Sequence, residues 1–547
     1  MLSIQRTHRN TVLFLFATLL LILAACSSQT TGTTTSETSP QRTGTSSEGQ
    51  KIVYIPTFSP TLTVSPINNQ GSGASTIVIS LFNDPLYDLN DNLEFVPKLA
   101  KSIETKDNQT FIFKLDPAAK WNDGQPFTAD DVAFTLQTAL NAKVDTTFNF
   151  SFIEGLNAAG KLDSDKSAIS GIKVIDSTTF ELKTKQPIAL TVLQERFANK
   201  IYFIPKHILK DVPMEQINAH PYFQNPEVTI GPFKFVKFVK GAYVEVAKNT
   251  SYYRGVPKLD KIFFKDVAAE TILPQLQTGE LHMNTLPFGT IPITELEKVK
   301  ALPNFDVSVS ESAEPLVAFF NTETVPLKVR QAIPYALNRE LIVSQLLKGQ
   351  GSVVDGPIPG NHPNYNKNIQ LFTYQPDKAK ALLKEANWDV NKPLRVLIPT
   401  GNAIREHASE LVVENLEKAG FKVQAEKYDY PSLIAKVRKF DYDIAIYNTS
   451  FFIDPSSYFS NLKSDSANNY TRYKNPQADE LITLGESETD PAKRKLIYDQ
   501  LQEIHHTDLP HLSLYTEKKI AAVSRKILVG KPLRLGMFNN VNEWDLK

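Results

Sequence analysis

One cysteine, Cys26, serves all 547 residues. No internal disulfide can therefore form, and the roughly 500 residues after it must be held by packed cores alone. A single core stops growing near about 250–300 residues, so several lobes are expected. Ahead of the cysteine stand Arg6 and Arg9 and an unbroken apolar run, Val12 to Ala25, with Thr18 its one mildly polar member. Those fourteen residues fall short of the about 20 that a bilayer-spanning helix needs. A basic head, a short apolar run and small residues at its end make a secretory signal, assigned to residues 1–25. Of the 24 residues from Ser27 to Gln50, fourteen are Ser or Thr and none is aliphatic or aromatic. Such a stretch buries too little apolar surface to offset its ordering entropy, so 26–50 reads as a tether. As a flexible coil it would reach about 25–30 Å.

Lys+Arg and Asp+Glu balance at 59 each, so the chain offers no basic field for nucleic acid. No later apolar run approaches membrane-spanning length. Leu23-Ala24-Ala25-Cys26 resembles the lipobox of bacterial lipoproteins. The resemblance implies that Cys26 is diacylated through sulfur and becomes the new N-terminus. Two chains at about 0.8 kcal/mol per buried methylene suffice for stable anchoring. The expected location is the outer face of a cell membrane.

Beyond the tether, Ile52–Ile55 and Thr76–Phe82 read as buried strands from their β-branched and aromatic content. Lys101–Lys106 and Thr110–Leu115 form a hairpin around Asp107-Asn108-Gln109. Trp121-Asn122-Asp123-Gly124 is a turn, and Thr128 N-caps a helix carrying Val132, Leu136 and Leu140. Strands follow at 172–175, 179–182, 233–239, 243–248 and 261–265, and helices near 270–277 and 325–347, the last punctuated by Asn338. From residue 376 helix and strand alternate: helix 376–386, strand 395–399, helix 403–419, strand 421–427, helix 431–439, strand 443–447. That is the signature of a parallel sheet covered by helices.

The ordered blocks in this chain resemble the large extracellular solute-binding proteins of ABC importers, the group with the dipeptide- and oligopeptide-binding members. They begin with Val96-Pro97-Lys98-Leu99-Ala100 and continue with Trp121-Asn122-Asp123-Gly124-Gln125-Pro126-Phe127. Ile230-Gly231-Pro232-Phe233, Asn249 with Tyr252-Tyr253, and Val329-Arg330-Gln331-Ala332 follow. Asp441-Tyr442-Asp443, Asp454-Pro455 and Arg494-Lys495-Leu496-Ile497-Tyr498 close the series, which spans about residues 51–520. The implied fold class is α/β, type II (class C) periplasmic-binding-protein-like, with two hinged lobes and an additional domain. Mapped here, lobe one takes 51–95, 202–312 and 519–547, the additional domain 96–201, and lobe two 313–518. Asn249, Tyr252, Tyr253 and Arg330 are read as packing or capping residues.

The resemblance implies capture of a small solute, most readily an oligopeptide, by lobe closure and delivery to an ABC permease. It implies a monomer without cofactor, metal or catalysis. Three stretches are the candidate cleft residues. Ser72, Gly73 and Ala74 match the lobe-one loop that meets the ligand backbone in peptide-binding relatives. Tyr447, Asn448, Thr449, Phe451 and Asp454 follow a lobe-two strand. Phe319, Phe320 and Asn321 lie near the crossover. The relatives' ammonium-pairing aspartate, four residues before the Pro of this segment, is Phe451 here. Burying an unpaired ammonium costs several kcal/mol, so the ligand is expected to lack, or not to anchor by, a free amino terminus unless Asp454 or Glu314 substitutes. Aromatic side chains there also suit a sugar. A nickel-type binder, an exported hydrolase and a tethered sensor or adhesin are the other readings. Against the hydrolase, no Gly-x-Ser-x-Gly or His-Glu-x-x-His occurs. Against a metal, the adjacent His505 and His506 face different sides of a helix.

Overall fold

The computed structural model describes residues 49–547 except 60–61, 69–71, 91–93, 147, 149, 164–167, 199–200, 313, 361, 450–452 and 533–535. The signal, Cys26, nearly all of the tether and Phe451 lie outside the described residues.

Three sheets organise the rest. The first has the order Ile52–Thr57, Lys261–Asp266, Tyr243–Lys248, Phe233–Val239. Its first pair is parallel and the others antiparallel. Val53, Ile55, Val244, Val246, Ile262 and Phe264 alternate inward, and Phe538 and Trp544 of the C-terminal segment join their core. The expected strand at Thr76–Phe82 is instead a helix, Gly73–Ile79. The Ser72 hydroxyl accepts from the Ser75 amide at 3.3 Å, and burial of Ala74, Ser75, Val78 and Ile79 fixes one face. Capping and packing outweigh a β-branched preference worth tenths of a kcal/mol per residue, about 0.7 at most.

The second sheet, in the order Ala100–Thr105, Thr110–Leu115, Thr179–Lys183, Ile172–Asp176, carries the additional domain. Its hairpin closes on Asp107, whose carboxylate accepts from the amides of Gln109 (2.9 Å) and Thr110 (2.7 Å). Phe113 stacks on Phe180 at 4.5 Å beneath the helix Ala129–Ala139. That helix begins at a reciprocal cap, with the Asp131 carboxylate taking the Thr128 amide at 2.9 Å. The core extends past residue 201 through Phe203, Leu209, Ile217, Tyr222 and Ile230.

The third sheet runs Phe305–Glu311, His511–Ser524, Leu316–Phe320, Ile444–Asn448, Pro393–Pro399, Lys422–Tyr428, with Gly351–Val353 also paired to His511–Ser524. The last three strands of the order are mutually parallel, as the alternation implies. Leu316–Phe320 and His511–Ser524 are antiparallel, so the sheet is mixed. The cause is an out-and-back passage. Phe305–Glu311 leaves the first lobe, and the fourteen-residue strand His511–Ser524 returns beside it, reaching Met283 through Val523. Arg330 caps rather than clamps: its guanidinium donates to the carbonyls of Val325 (2.7 Å) and Asp508 (2.8 Å). Burial pulls it down to about 10.

Candidate functional site

The strands Pro393–Pro399 and Ile444–Asn448 run parallel, with Val396 opposite Ile444, so both carboxyl ends reach one sheet edge. Ligands of open α/β sheets collect at such edges. Three turns are built there. Thr400 donates its amide to the Tyr428 carbonyl at 2.8 Å. Asn402 caps the helix Ala403–Lys418 by accepting from the Arg405 amide at 2.9 Å. Asp429 caps Tyr430–Arg438 through the Ser432 amide at 2.8 Å. Asn448 donates to the Glu314 carbonyl at 3.2 Å, and the Thr449 amide to that of Pro315 at 3.3 Å.

Electrostatic coupling links Tyr430 to Arg405, Glu314 and Tyr447, and Arg405 to Tyr515 of the strand His511–Ser524. Tyr430 is 46% exposed. Its desolvated hydroxyl is raised above its ordinary value, Arg405 and Arg438 pull it back, and Glu314 adds to the rise, so all three charges act on that ring. Arg405 also acts on the Tyr515 hydroxyl, which burial pushes up. The Arg405 guanidinium is half-buried and makes no hydrogen bond or ion pair with a described residue. A half-buried guanidinium that acts on two tyrosines and forms no ion pair with a described carboxylate can hold a ligand carboxylate.

The expected site residues divide. Phe319 and Tyr447 meet, stacked at 4.1 Å with 12° between their planes. Asn448 and Thr449 tie the edge together through the contacts above. Ser72 is spent as the helix cap and lies 3.3 Å from the Ser59 hydroxyl. Gly73 admits the Phe288 ring where a Cβ would stand 2.4 Å from Cζ. Ala74 is core rather than ligand surface, with its side chain fully buried. Phe320 and Asn321 are corrected as well. Phe320 is fully buried, and Asn321 holds the opposite end of the sheet by donating to the carbonyl of Tyr442 at 3.2 Å.

Asp454 is the clearest correction. Expected as a ligand contact, it is 1% exposed and bound by the Arg494 guanidinium through two nitrogens at 2.5 Å each. Thr191 donates to it at 2.7 Å, and the Ser456 hydroxyl at 2.6 Å. Burial alone would raise its carboxyl, but Arg494 holds it below the ordinary range. A carboxylate so saturated has no capacity left for a ligand ammonium.

The histidines diverge. His505 lies 3.4 Å from His511, which faces the Tyr458 hydroxyl at 2.6 Å, whereas His506 reaches Asp355 at 3.3 Å. Among the described residues no group of three or more His, Cys, Asp or Glu side chains is placed to hold a metal. Sequence reasoning missed Arg405 and Tyr430. Asp429-Tyr430-Pro431, a cap followed by a first-turn proline, could have put Tyr430 at a strand's end. Arg405 carries no comparable local signal.

The family described as bacterial extracellular solute-binding proteins, family 5, matches residues 94–470. The oligopeptide-binding protein AppA of Bacillus subtilis strain 168 is 27% identical over 538 residues, covering 93% of this chain and 94% of its own. The solved structure of that Bacillus protein with a nonapeptide superposes with a TM-score of 0.74 at 24% identity, over 91% of this chain and 99% of the other. NikZ of Campylobacter jejuni with Ni(L-His) superposes at 0.77 and 22% identity, over 90% and 99%. These two likenesses establish the α/β, type II periplasmic-binding-protein-like fold. With more than half its length matched, the chain belongs to the family 5 bacterial extracellular solute-binding proteins.

Proposed function

We propose that this chain is the peptide-capturing subunit of an ABC importer, lipid-anchored through Cys26 on the outer face of the cell membrane. It closes its lobes on an oligopeptide and passes it, chemically unchanged, to a membrane permease. The observation that carries the ligand class is the Arg405 guanidinium, which pairs with no described residue and acts on Tyr430 and Tyr515, at the edge where three parallel strands end. Arg405 takes the ligand carboxylate, while the tyrosines and Phe319 pack along side chains or backbone. With Phe451 at the position of the relatives' ammonium-pairing aspartate and Asp454 bound to Arg494, the amino end is held less strictly than the carboxyl end. The oligopeptide specificity named for AppA supports the same class. Calorimetry with free, N-acetylated and C-amidated forms of one peptide series tests this. Amidation should weaken binding about tenfold or more, and acetylation by less. Equal tolerance of both modifications, or binding abolished by acetylation alone, would overturn the assignment.

A further inference from the structure

The helix Leu190–Phe197 has two committed faces. Leu193 and Phe197 lie in the core of the additional domain with Phe113 and Phe150. Thr191 and Glu195, four residues apart and so on one side of the helix, face the other way. They bond to residues of the C-terminal lobe more than two hundred and fifty positions along the chain. Glu195 is 5% exposed, and its two oxygens accept from the Ile453 amide at 2.9 Å and the Ser457 hydroxyl at 2.5 Å. Thr191 donates to Asp454 at 2.7 Å and lies 3.3 Å from the Arg494 guanidinium that neutralises it. The Ile453 carbonyl is taken on the other side by His362 at 2.9 Å. The lobe-two partners rest on a separate core of Tyr458, Phe459, Tyr498 and Leu501. Ile453 to Ser457 directly continues the Tyr447–Phe452 stretch, whose first residues tie the cleft edge.

We propose that Thr191 and Glu195 form a polar latch between the additional domain and the C-terminal lobe, and that they are positioning residues for Ile453, Asp454 and Ser457. The inference rests on the clamp reading above and adds the surface on which the clamp shuts. A buried carboxylate tolerates burial when its oxygens are hydrogen-bonded. The latch therefore engages when the Ile453 amide and the Ser457 hydroxyl are both in register. An apolar contact would tolerate sliding; this one does not. Because closing desolvates the charge, the latch gives register without locking the empty protein shut, and the ligand tips the balance.

Electron–electron distance measurement between nitroxides at Lys173→Cys and Lys493→Cys, exposed positions on the two units, in the full chain with Cys26→Ser tests this without any ligand. The expected result is a short-distance population that Glu195→Ala depletes at least fivefold. Ser457→Ala, on the opposite side, should deplete it by a smaller factor. Thermal melts within a few degrees of the parent identify variants that remain folded. A wild-type distribution without the short population, or an unchanged one in both variants, overturns the latch. Oligo-alanine peptides of three to nine residues form the second arm. If they bind, Glu195→Ala should raise the dissociation rate at least fivefold with little change in association. A rise confined to association contradicts the latch. If they fail to bind wild-type protein, the peptide reading falls, and the ligand-free distances still decide the latch.

Discussion

Lowering the pH from 7 to 5 should destabilise the C-terminal lobe through two buried imidazoles, His505 and His511. Both are fully desolvated, and burial pushes each down to about 3 in the folded protein. In the unfolded chain each titrates near about 6.5. Between these values the unfolded state binds more protons, so stability falls as pH falls, beginning near 6.5 and levelling off near 3. At pH 5 the folded groups are still neutral, so the loss is set by the unfolded value: about 1.5 pH units at about 1.4 kcal/mol each, or about 2 kcal/mol per histidine and about 4 kcal/mol for the pair. Urea unfolding of wild type, His505→Leu and His511→Gln at both pH values measures it. The quantity compared is each protein's change in stability between pH 7 and 5, so the packing loss of each substitution cancels. Each variant should lose about 2 kcal/mol less than wild type over that interval. The same loss in all three proteins would refute the assignment of neutral buried rings.

Three further outcomes are expected. Arg494→Met leaves Asp454 buried without its cation and should destabilise the lobe by about 3–5 kcal/mol, with Asp454→Asn in the same chain recovering much of it; thermal unfolding reads both. Gly73→Ala puts a methyl 2.4 Å from the Phe288 ring and should destabilise by about 1 kcal/mol, relieved by Phe288→Ala, as denaturant midpoints will report. Cys26→Ser should move the protein from the membrane fraction to the soluble fraction of its host, and blotting of the two fractions checks it.

Local chemistry made much of the fold legible. The Asp107 hairpin, the Thr128 cap and the alternation from residue 376 onward are written in neighbouring residues, and each forms where expected. The helix at Gly73–Ile79 was hidden because Thr76-Ile77-Val78-Ile79 reads as strand on propensity, and what overrides it is a cap together with burial of one face. Asp454 was misread for a related reason. Its partners Arg494 and Thr191 stand 40 and 263 positions away, so nothing adjacent announces that the carboxylate is spoken for. Phe319 and Tyr447 were accessible as aromatic residues beside a crossover and a strand end. Arg405 was not, because its meaning lies in having no charged partner among the described residues, which is a property of packing.

The clamp itself is tested most directly by native mass spectrometry of the gently purified full chain, before and after incubation with a defined peptide mixture. The account predicts one peptide held per chain, released on denaturation with its mass unaltered, and lost from Arg405→Ala protein. Retention of no peptide at any concentration tried, or release of peptides shortened by hydrolysis, would contradict it.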